Sequence, residues 1–340
     1  MLNRLLTPLR LASAGLVVLV VAVAVLVTRS SDHYLEIPDK AHPLAMLVKV
    51  PGAKDQHDGG GIYYVDVLLK RASLLESLLP PIRPDGSDLI PQGQILEPGI
   101  NQQQRAKLDA AAMKISQVIA STVALRQLGY RIPVRAGGVQ VVAVTSSSHA
   151  VGLLKPGDVI VSAGGKPVHT RNDLRAVLAK HSPGDVVKLG IRRGKKLLTI
   201  PVRTTSDAAE PKRPLIGVLP SQALNVRFPF PIRFSLGDVG GPSAGLAFAL
   251  ELLEKRGRDV DHGYKVAATG EIQLDGSVTS IGGVKQKTIG ARQAHVDVFL
   301  VPKDGDNARV AKRYAHGLRI IPVENFQQAL HALATLPRKT

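Results

Sequence analysis

The segment that most constrains the fold is residues 237–255, which read GDVGGPSAGLAFALELLEK. A long apolar run with helical composition follows a cluster of glycines, and Gly257 ends it in the way that helices commonly end. Pro242 suits the first position of a helix, because its missing N–H would have no partner there in any case. The sequence therefore predicts a buried helix over 242–256, with one hydroxyl, that of Ser243, in its first turn.

Ser243 has two interpretations from its neighbours alone. It could simply cap the helix, but position 246 is Leu rather than Glu or Gln, so no capping box forms. Free N–H groups at a helix start can hold an anion, including the oxyanion of acyl transfer, and this favours a nucleophile. GPSAG also fits the G-x-S-x-G elbow of α/β-hydrolases, but six residues separate Leu236 from the serine and a proline directly precedes it. The cap and the nucleophile both remain open at this point.

A serine nucleophile needs a base, and Lys287 is a candidate. In the helix predicted over 284–295 it shares a face with Val284, Ala291 and Ala294, and no acidic residue follows it on that face. A desolvated lysine loses its proton more easily, and its neutral amine can then accept one from a hydroxyl. The alternative is a lysine that only covers the core. Lys285 projects to another side and is predicted to be solvated.

The N-terminal region contains an uncharged stretch of 18 residues, 11–28, close to the length of a membrane-spanning helix. Arg4 and Arg10 precede it, which predicts that residues 1–10 stay in the cytoplasm and that the chain beyond residue 30 is outside it. A cleaved signal peptide is the alternative, but the Ala-x-Ala triplets lie inside the apolar run. The sequence therefore favours an uncleaved, single-pass anchor with an extracytoplasmic catalytic part.

The basic charge of the chain raises the question of whether it binds nucleic acid. The formal net charge is +17, but the 44 Lys and Arg residues are scattered and aromatic residues make up only 4%. Stacking platforms for single strands are therefore scarce, and we predict no nucleic-acid partner. A basic surface also suits the neighbourhood of anionic lipid headgroups. Cysteine is absent, so disulfides and zinc–thiolate sites are excluded, and we predict no metal and no cofactor.

The region up to residue 129 contains few recognisable motifs. Residues 29–44 are predicted to be a linker, and the β-prone runs 45–50 and 62–69 a hairpin. Residues 80–100 hold five prolines and three glycines and are predicted to form a loop. Apolar residues at helical spacing then predict a helix over 101–128, which Gly129 ends.

Residues 130–204 form a separate β-rich module with one helix over 171–180. Its most telling part is LLKPGDVIVSAGGKPV (153–168), and the whole module resembles a PDZ domain of the bacterial type found on proteases. The resemblance implies that Gly137, Gly138 and Val139 present backbone N–H groups to a peptide C-terminus, which adds as a strand. The alternative is a structural β-domain without a ligand.

Residues 205–213 are polar and are predicted to be a second linker. The remaining part, 214–340, alternates strands and helices, with a hairpin marked by the turn residues Asp275-Gly276. Three of its motifs occur in the order and near-spacing of Lon-type Ser-Lys proteases: DVGGPSAG (238–245), TGEI (269–272) and SIGGVKQK (280–287).

The resemblance to Lon-type proteases covers most of 214–325. It implies that Ser243 is the nucleophile, that Lys287 is the general base, and that the hydroxyl of Thr269 orients the lysine amine. The oxyanion is expected at backbone amides beside the serine, in the set Gly240, Gly241 and Ala244. Where many ATP-dependent Lon proteases carry an acidic residue three before the serine, this chain has Gly240, and Asp238 lies two residues further back.

The chain contains no G-x-x-x-x-G-K-[ST] phosphate loop. It thus resembles the ATPase-free, PDZ-containing Lon-like proteases of bacteria, which implies polypeptide substrates and a homo-oligomer, usually a hexameric ring. The expected fold is an α/β (α+β) Lon-type proteolytic domain with a PDZ-like module, preceded by one transmembrane helix. Residues 45–129 would supply its N-terminal part, so that the PDZ module is inserted within the protease domain. The alternative function is a PDZ-based membrane scaffold with an idle Lon fold.

Overall fold

The computed structural model describes residues 8–53, 59–96, 100–206, 210–237 and 239–339. Arg4, on the N-terminal side of the predicted anchor, and Asp238, the acidic residue before the serine, lie outside these residues. The helices are α1 Pro8–Thr28, α2 Leu74–Leu78, α3 Gln92–Ile95, α4 Gln102–Gln127, α5 Arg171–Leu178, α6 Gly245–Lys255, α7 Val284–Gln293, α8 Asn307–Tyr314 and α9 Phe326–Ala334, with a 3-10 turn at Pro80–Ile82.

The strands are numbered in chain order. They are β1 Ser30–Pro38, β2 His42–Pro43, β3 Val48–Lys49, β4 Gly61–Tyr64, β5 Val67–Ser73, β6 Asp88–Pro91, β7 Val134–Val144, β8 Val159–Ala163, β9 Lys166–Pro167, β10 Val186–Arg193, β11 Lys196–Arg203, β12 Thr205–Ser206, β13 Pro214–Leu215, β14 Val218–Val226, β15 Arg233–Phe234, β16 Lys265–Ala268, β17 Glu271–Ile272, β18 Val278–Thr279, β19 Val298–Pro302 and β20 Arg319–Val323.

A five-stranded sheet of order β2-β4-β16-β19-β20 is the centre of the C-terminal part. Its pairs are parallel except for β2 with β4. Every residue of α6 is buried, as its apolar sequence predicts. The core around α6 also takes Leu44 and Ile62 from the N-terminal region and Ala120 from α4. Residues far apart in the sequence therefore share one core.

The N-terminal region differs from the sequence-based expectation. Residues 29–44 are not a linker throughout, because β1 pairs with β5 and β6 in a three-stranded sheet and buries Tyr34 and Leu35. The predicted hairpin of 45–50 with 62–69 is also wrong, since β3 pairs with β15 and β4 pairs with β2 and β16. The predicted loop 80–100 contains β6 and α3.

The helix predicted over 101–128 is confirmed as α4. It begins with a capping box, in which Asn101 and Gln104 satisfy each other's backbone N–H groups. It ends before Gly129, whose φ of 87° is easy only for glycine. The hairpin at Asp275-Gly276 is confirmed as β17 and β18.

The β-rich module forms a second sheet with its own core. The strand order is β11-β10-β8-β7-β14, with β9 paired to β8, and α5 covers it with Leu174, Val177 and Leu178. The last strand in this order, β14, comes from beyond residue 204. The sheet of the module thus includes a strand from the chain that runs towards Ser243. Within the predicted linker 205–213, Thr205–Ser206 form β12, which pairs with β13.

Two helices bear on the membrane prediction. Among the described residues, Gln102–Gln127 is long and apolar enough to cross a membrane by length and composition. It packs as a core helix, however, with Met113, Ala120 and Ala124 buried. The apolar part of α1, Ala12–Thr28, is shorter. Its side chains are exposed, for example Leu16 at 61% and Val18 at 68%. The structure does not establish a membrane span.

Candidate active site

The structure brings Ser243 and Lys287 together. The amine Nζ of Lys287 donates to the hydroxyl Oγ of Ser243 over 2.9 Å. Helix α6 begins only at Gly245, so Ser243 lies in the turn before the helix rather than in its first turn. Gly241 precedes that turn with φ of 86°, which explains why glycine suits this position.

Helix α7 presents Lys287 to the serine. It starts after Gly283, which is in the left-handed conformation, and the amide of Lys287 donates to the Gly283 carbonyl in the first turn. Val284 and Ala291 on the same face are buried, and only 4% of Lys287 is exposed. Lys287 thus lies on the buried face of α7 that helical spacing in the sequence predicts.

Lys285 occupies a different environment from the one predicted. Its amine lies 2.6 Å from a carboxylate oxygen of Asp88 and 5.6 Å from the centre of the Tyr314 ring. Its side chain is 22% exposed. The prediction that Lys285 is simply solvated was wrong, because the strand β6 that carries Asp88 was expected to be loop. Lys285 does point away from Ser243, as predicted.

Burial lowers the pKa of Lys287 from its ordinary 10.5 to about 8, and the nearby charges of Glu36 and Asp66 oppose this effect. Glu36 lies in β1, and Asp66 lies in the connection between β4 and β5. Desolvation raises the pKa of each of them, while the charge of Lys287 lowers it. Sequence reasoning missed both, since it considered only the helix face of the lysine and assigned residues 29–44 to a linker.

Thr269 lies beside the serine. Among the described residues, its hydroxyl forms no hydrogen bond with the amine of Lys287. Its hydroxyl donates to the backbone carbonyl of Ser243 over 3.1 Å. The amide of Gly270 donates to the same oxygen over 2.7 Å. Thr269 is fully buried. The structure thus places the Thr269 hydroxyl on the backbone of Ser243, and its role in orienting the lysine amine stays a prediction.

The three amides predicted to hold an oxyanion do not all remain available. The N–H of Gly241 donates to the Asp109 carbonyl of α4 over 2.8 Å, so it is already used. Gly240 packs on the same residue, and a Cβ at position 240 would lie 2.8 Å from the Asp109 Cβ. Ala244 is the N-cap residue of α6, and its N–H has no acceptor in the part of the chain that the structure describes. It is the best candidate donor of the three.

Helix α4 supports the turn that carries the serine. The hydroxyl of Ser116 donates to the Pro242 carbonyl over 2.9 Å. A Cβ at Gly245 would lie 2.8 Å from that same Ser116 hydroxyl, so the helix start and α4 approach closely here. No sequence motif marked Ser116, because its partner lies far away along the chain.

A cleft of about 560 Å³ opens next to this turn. Its walls come from α4, from β14 and from the segment 271–274, and it reaches Pro242, the residue before the serine. The lining is more apolar than polar, and its charged residues are Arg105, Asp109, Arg171 and Glu271. Neither Ser243 nor Lys287 is among its lining residues, so the cleft lies beside the Ser–Lys pair and not around it.

Among the residues that the structure describes, two groups of side chains have ligand atoms close enough to hold a cation. They are Asp39, His42 and Asp66 in one group and Glu254, Asp259 and Asp261 in the other. Within the first, His42 Nε2 lies 3.3 Å from Asp39 Oδ2 and 3.9 Å from Asp66 Oδ1.

The peptide-binding loop predicted in the PDZ-like module is not open. Gly137, Gly138 and Val139 lie inside β7, where Val139 pairs with Gln222 on one side and with Ile160 on the other. The N–H of Gly138 donates to a backbone carbonyl at position 169 over 3.2 Å. The prediction that these residues present free N–H groups to a peptide C-terminus was therefore wrong for this structure.

Comparisons with known proteins agree with the two-part organisation. Residues 126–204 match the family model of the PDZ domain, and residues 237–335 match that of the Lon protease (S16) C-terminal proteolytic domain. The latter match supports a protease and indicates a serine peptidase. The expected mixed α/β fold with both kinds of domain is thereby confirmed.

Among curated relatives, the Lon protease of Clostridium beijerinckii is 39% identical over 128 residues, which are 35% of this chain and 16% of that protein. Lon protease 2 of Thermus thermophilus is 31% identical over 163 residues, 43% of this chain and 20% of that protein. The chain thus spans a fifth or less of these relatives. A solved PDZ domain, from an SdrC-like protein of Listeria monocytogenes, is 25% identical, with 24% of this chain and 86% of that chain covered and a TM-score of 0.23.

Proposed function

We propose that this chain is a serine endopeptidase in which Ser243 is the nucleophile and Lys287 the general base. The observation that carries the proposal is the 2.9 Å contact between a buried amine and the hydroxyl. It lies in a segment that matches the Lon proteolytic domain. A Ser–Lys pair of this kind activates the hydroxyl without a histidine.

In the first step the neutral amine of Lys287 takes the proton of Ser243 Oγ while the oxygen attacks the peptide carbonyl. The oxyanion that forms is held by backbone amides, with the N–H of Ala244 as the leading candidate. The ammonium of Lys287 then gives its proton to the leaving amine as the C–N bond breaks. In the second half Lys287 takes a proton from the water that attacks the acyl carbonyl, and it returns this proton to Ser243 Oγ as the acid product leaves.

The electrostatics of Lys287 suit both halves of this cycle. Burial keeps a useful fraction of the amine neutral at working pH, which a general base requires. The carboxylates of Glu36 and Asp66 favour the ammonium that exists between the two proton transfers. The hydrogen bonds from Thr269 and Gly270 hold the Ser243 carbonyl and thereby fix the backbone of the nucleophile.

Hydrolysis by this chain is proposed to need no nucleotide, because the chain carries no phosphate-loop motif. Unfolded polypeptides are then the expected substrates, since folded ones would need energy for unfolding. Helix α1 is proposed as a membrane anchor, with the rest of the chain on the outer side of a bacterial cell membrane. Its exposed apolar side chains support this proposal. A homo-oligomer, as a ring, is proposed from the likeness to Lon proteases.

The scaffold alternative is weaker than the peptidase. A PDZ scaffold needs an open strand edge for its ligands, and β14 occupies the edge predicted for that purpose. The buried Ser–Lys contact would also have no use in an idle fold.

The proposal is tested with the full chain in detergent micelles and fluorescently labelled casein, an unstructured protein, without nucleotide. Ser243→Ala should abolish cleavage. Ser235→Ala, an exposed serine on the same approach to α6, should leave it unchanged. Cleavage that persists in Ser243→Ala, or that requires ATP in the wild type, would contradict the proposal.

A further inference from the structure

The strand β7 of the PDZ-like module is paired on both edges. One edge carries β8, and the other carries β14, which runs antiparallel to it from Val218↔Val144 to Val226↔Val134. A peptide bound by β-augmentation would add as a strand on an edge of this kind. The position that such a peptide would take is filled by a segment of the same chain.

Side chains fix β14 to the module near its middle. The amide Nε2 of Gln222 donates to the carbonyls of Gly138 and His169, over 3.0 and 2.8 Å. It thereby ties β14 both to β7 and to the loop that enters α5. A Cβ at Gly137 would lie 2.8 Å from the side chain of Asn225, so the backbone of β7 and the end of β14 are in close contact.

The entry to β14 is anchored in the core of the module. Ile216 is buried among the core residues of the module, and the hydroxyl of Ser148 donates to its carbonyl over 2.7 Å. The amide of Thr145 donates to the Gly217 carbonyl over 2.9 Å. Within β14 itself, Leu219 is buried. An external peptide would have to displace a strand that is held at its entry, middle and end.

Competition also favours the internal strand. A segment joined to its site through a short connection acts at an effective concentration of about millimolar. A tail peptide at micromolar concentration therefore cannot compete unless it binds far more tightly. The Gly138 amide, which would be needed for a terminal carboxylate, already donates to the His169 carbonyl.

We propose that the ligand of this PDZ-like groove is the internal strand β14, held permanently. The module then serves as a structural support for the chain segment that continues to Ser243, and does not capture peptide C-termini. This inference concerns the strand pairing and does not depend on the proposed peptidase activity.

Hydrogen–deuterium exchange tests the permanence of the pairing without any activity assay. The amides of 218–226 that pair with β7 should exchange as slowly as the buried amides of β8. Gln222→Ala should speed exchange in β14 by about tenfold, because the side-chain hydrogen bonds are lost. Gln140→Ala, a partly exposed position on β7, is the matched control and should change it less than about twofold. Exchange in β14 at least a hundredfold faster than in β8 would overturn the proposal.

A disulfide lock gives a second measurement, since the chain has no cysteine of its own. Arg135 and Asn225 face each other across β7 and β14 and are both exposed, so Arg135→Cys with Asn225→Cys can close a bridge. Cleavage of labelled casein by this variant should be equal, within about twofold, before and after reduction with dithiothreitol. A large loss on oxidation that reduction restores would show that β14 must leave the groove. If neither form cleaves casein, the exchange measurement still decides between a held strand and a displaceable one.

Discussion

The pKa of Lys287 leads to a quantitative prediction for the pH profile of the proposed peptidase. Burial lowers this pKa from 10.5 to about 8. The difference corresponds to about 3 kcal/mol less favourable protonation than in water. Because the base must be neutral to accept the proton of Ser243, activity should rise with pH and not fall.

The size of the effect follows from the neutral fraction of the amine. With a pKa of about 8, about a tenth of the amine is neutral at pH 7, against about 0.03% for a lysine in water. Burial thus raises the amount of active base at pH 7 by about 300-fold. We expect kcat/KM to rise about tenfold per pH unit below pH 7 and to level off between about pH 8 and 9.

Two arginine variants test whether Lys287 acts as a general base or only supplies a positive charge. Lys287→Arg keeps the charge but cannot give up its proton at working pH, so kcat should fall by at least about a thousandfold. Lys285→Arg should stay within about twofold of the wild type, because its ion pair with Asp88 can be retained. Both variants need a check of folding by circular dichroism.

Three results would refute this reasoning. A flat profile from pH 6 to 9 would show that no group of this pKa acts as base. A rise that continues with unit slope to pH 10 would show that the amine is not desolvated. Loss of activity in Lys285→Arg with retention in Lys287→Arg would assign the base to the other lysine.

Three further predictions concern the surroundings of the site. Glu36→Gln removes a negative charge that favours the lysine ammonium, so the midpoint of the pH–activity profile should move to lower pH; a move to higher pH would contradict this assignment. Gly290→Ala should lower the free energy of unfolding by about 3 kcal/mol or more in urea denaturation, because its Cβ would overlap the Asp39 carbonyl. Gly282→Ala, with nothing near its Cβ, should change it by less than about 0.5 kcal/mol, and equal effects would refute the packing argument. Desolvation raises the pKa of Glu254 to about 7, so the fold holds this proton more tightly than the unfolded chain and loses stability as pH rises from about 4.5 to 7. Glu254→Gln should therefore gain about 2 kcal/mol at pH 8 and little at pH 4, as measured by urea denaturation at both pH values.

The parts of the fold that local sequence determines were predictable. The capping residues and the terminal glycine of α4 are next to it in the sequence, so both of its ends could be predicted. The apolar composition of α6 predicts that this helix is buried. The position of Lys287 on its helix followed from helical spacing. The start of α6 was predicted three residues too early, because hydrogen bonds from α4 and from Gly270 hold the preceding residues in a turn.

The parts that depend on distant strand partners were not predictable. Residues 29–44 have the polar composition of a linker, but β1 gains its order from β5 and β6 on its two edges. In the same way, Gly137–Val139 resemble a loop that is open to peptides until the pairing with β14 is seen. Strand pairing is set by contacts across long sequence separations, and a single sequence does not display these.

The packing of β1 on α7 connects this missed strand to the chemistry. Gly290 has the Asp39 carbonyl where a side chain would be, and Gly283, the N-cap residue about two turns earlier, has the Glu36 carboxylate there. These two glycines let the N-terminal segment lie against the helix that carries Lys287. Glu36 of β1 thus provides a negative charge near Lys287, where the face of α7 has no acidic residue. A buried lysine without that charge would stay neutral and could not hold the proton between the two halves of the proposed reaction. A lysine in full contact with a carboxylate would stay charged and could not accept the proton. The close approach that the two glycines permit therefore helps to keep the pKa of Lys287 between these two limits.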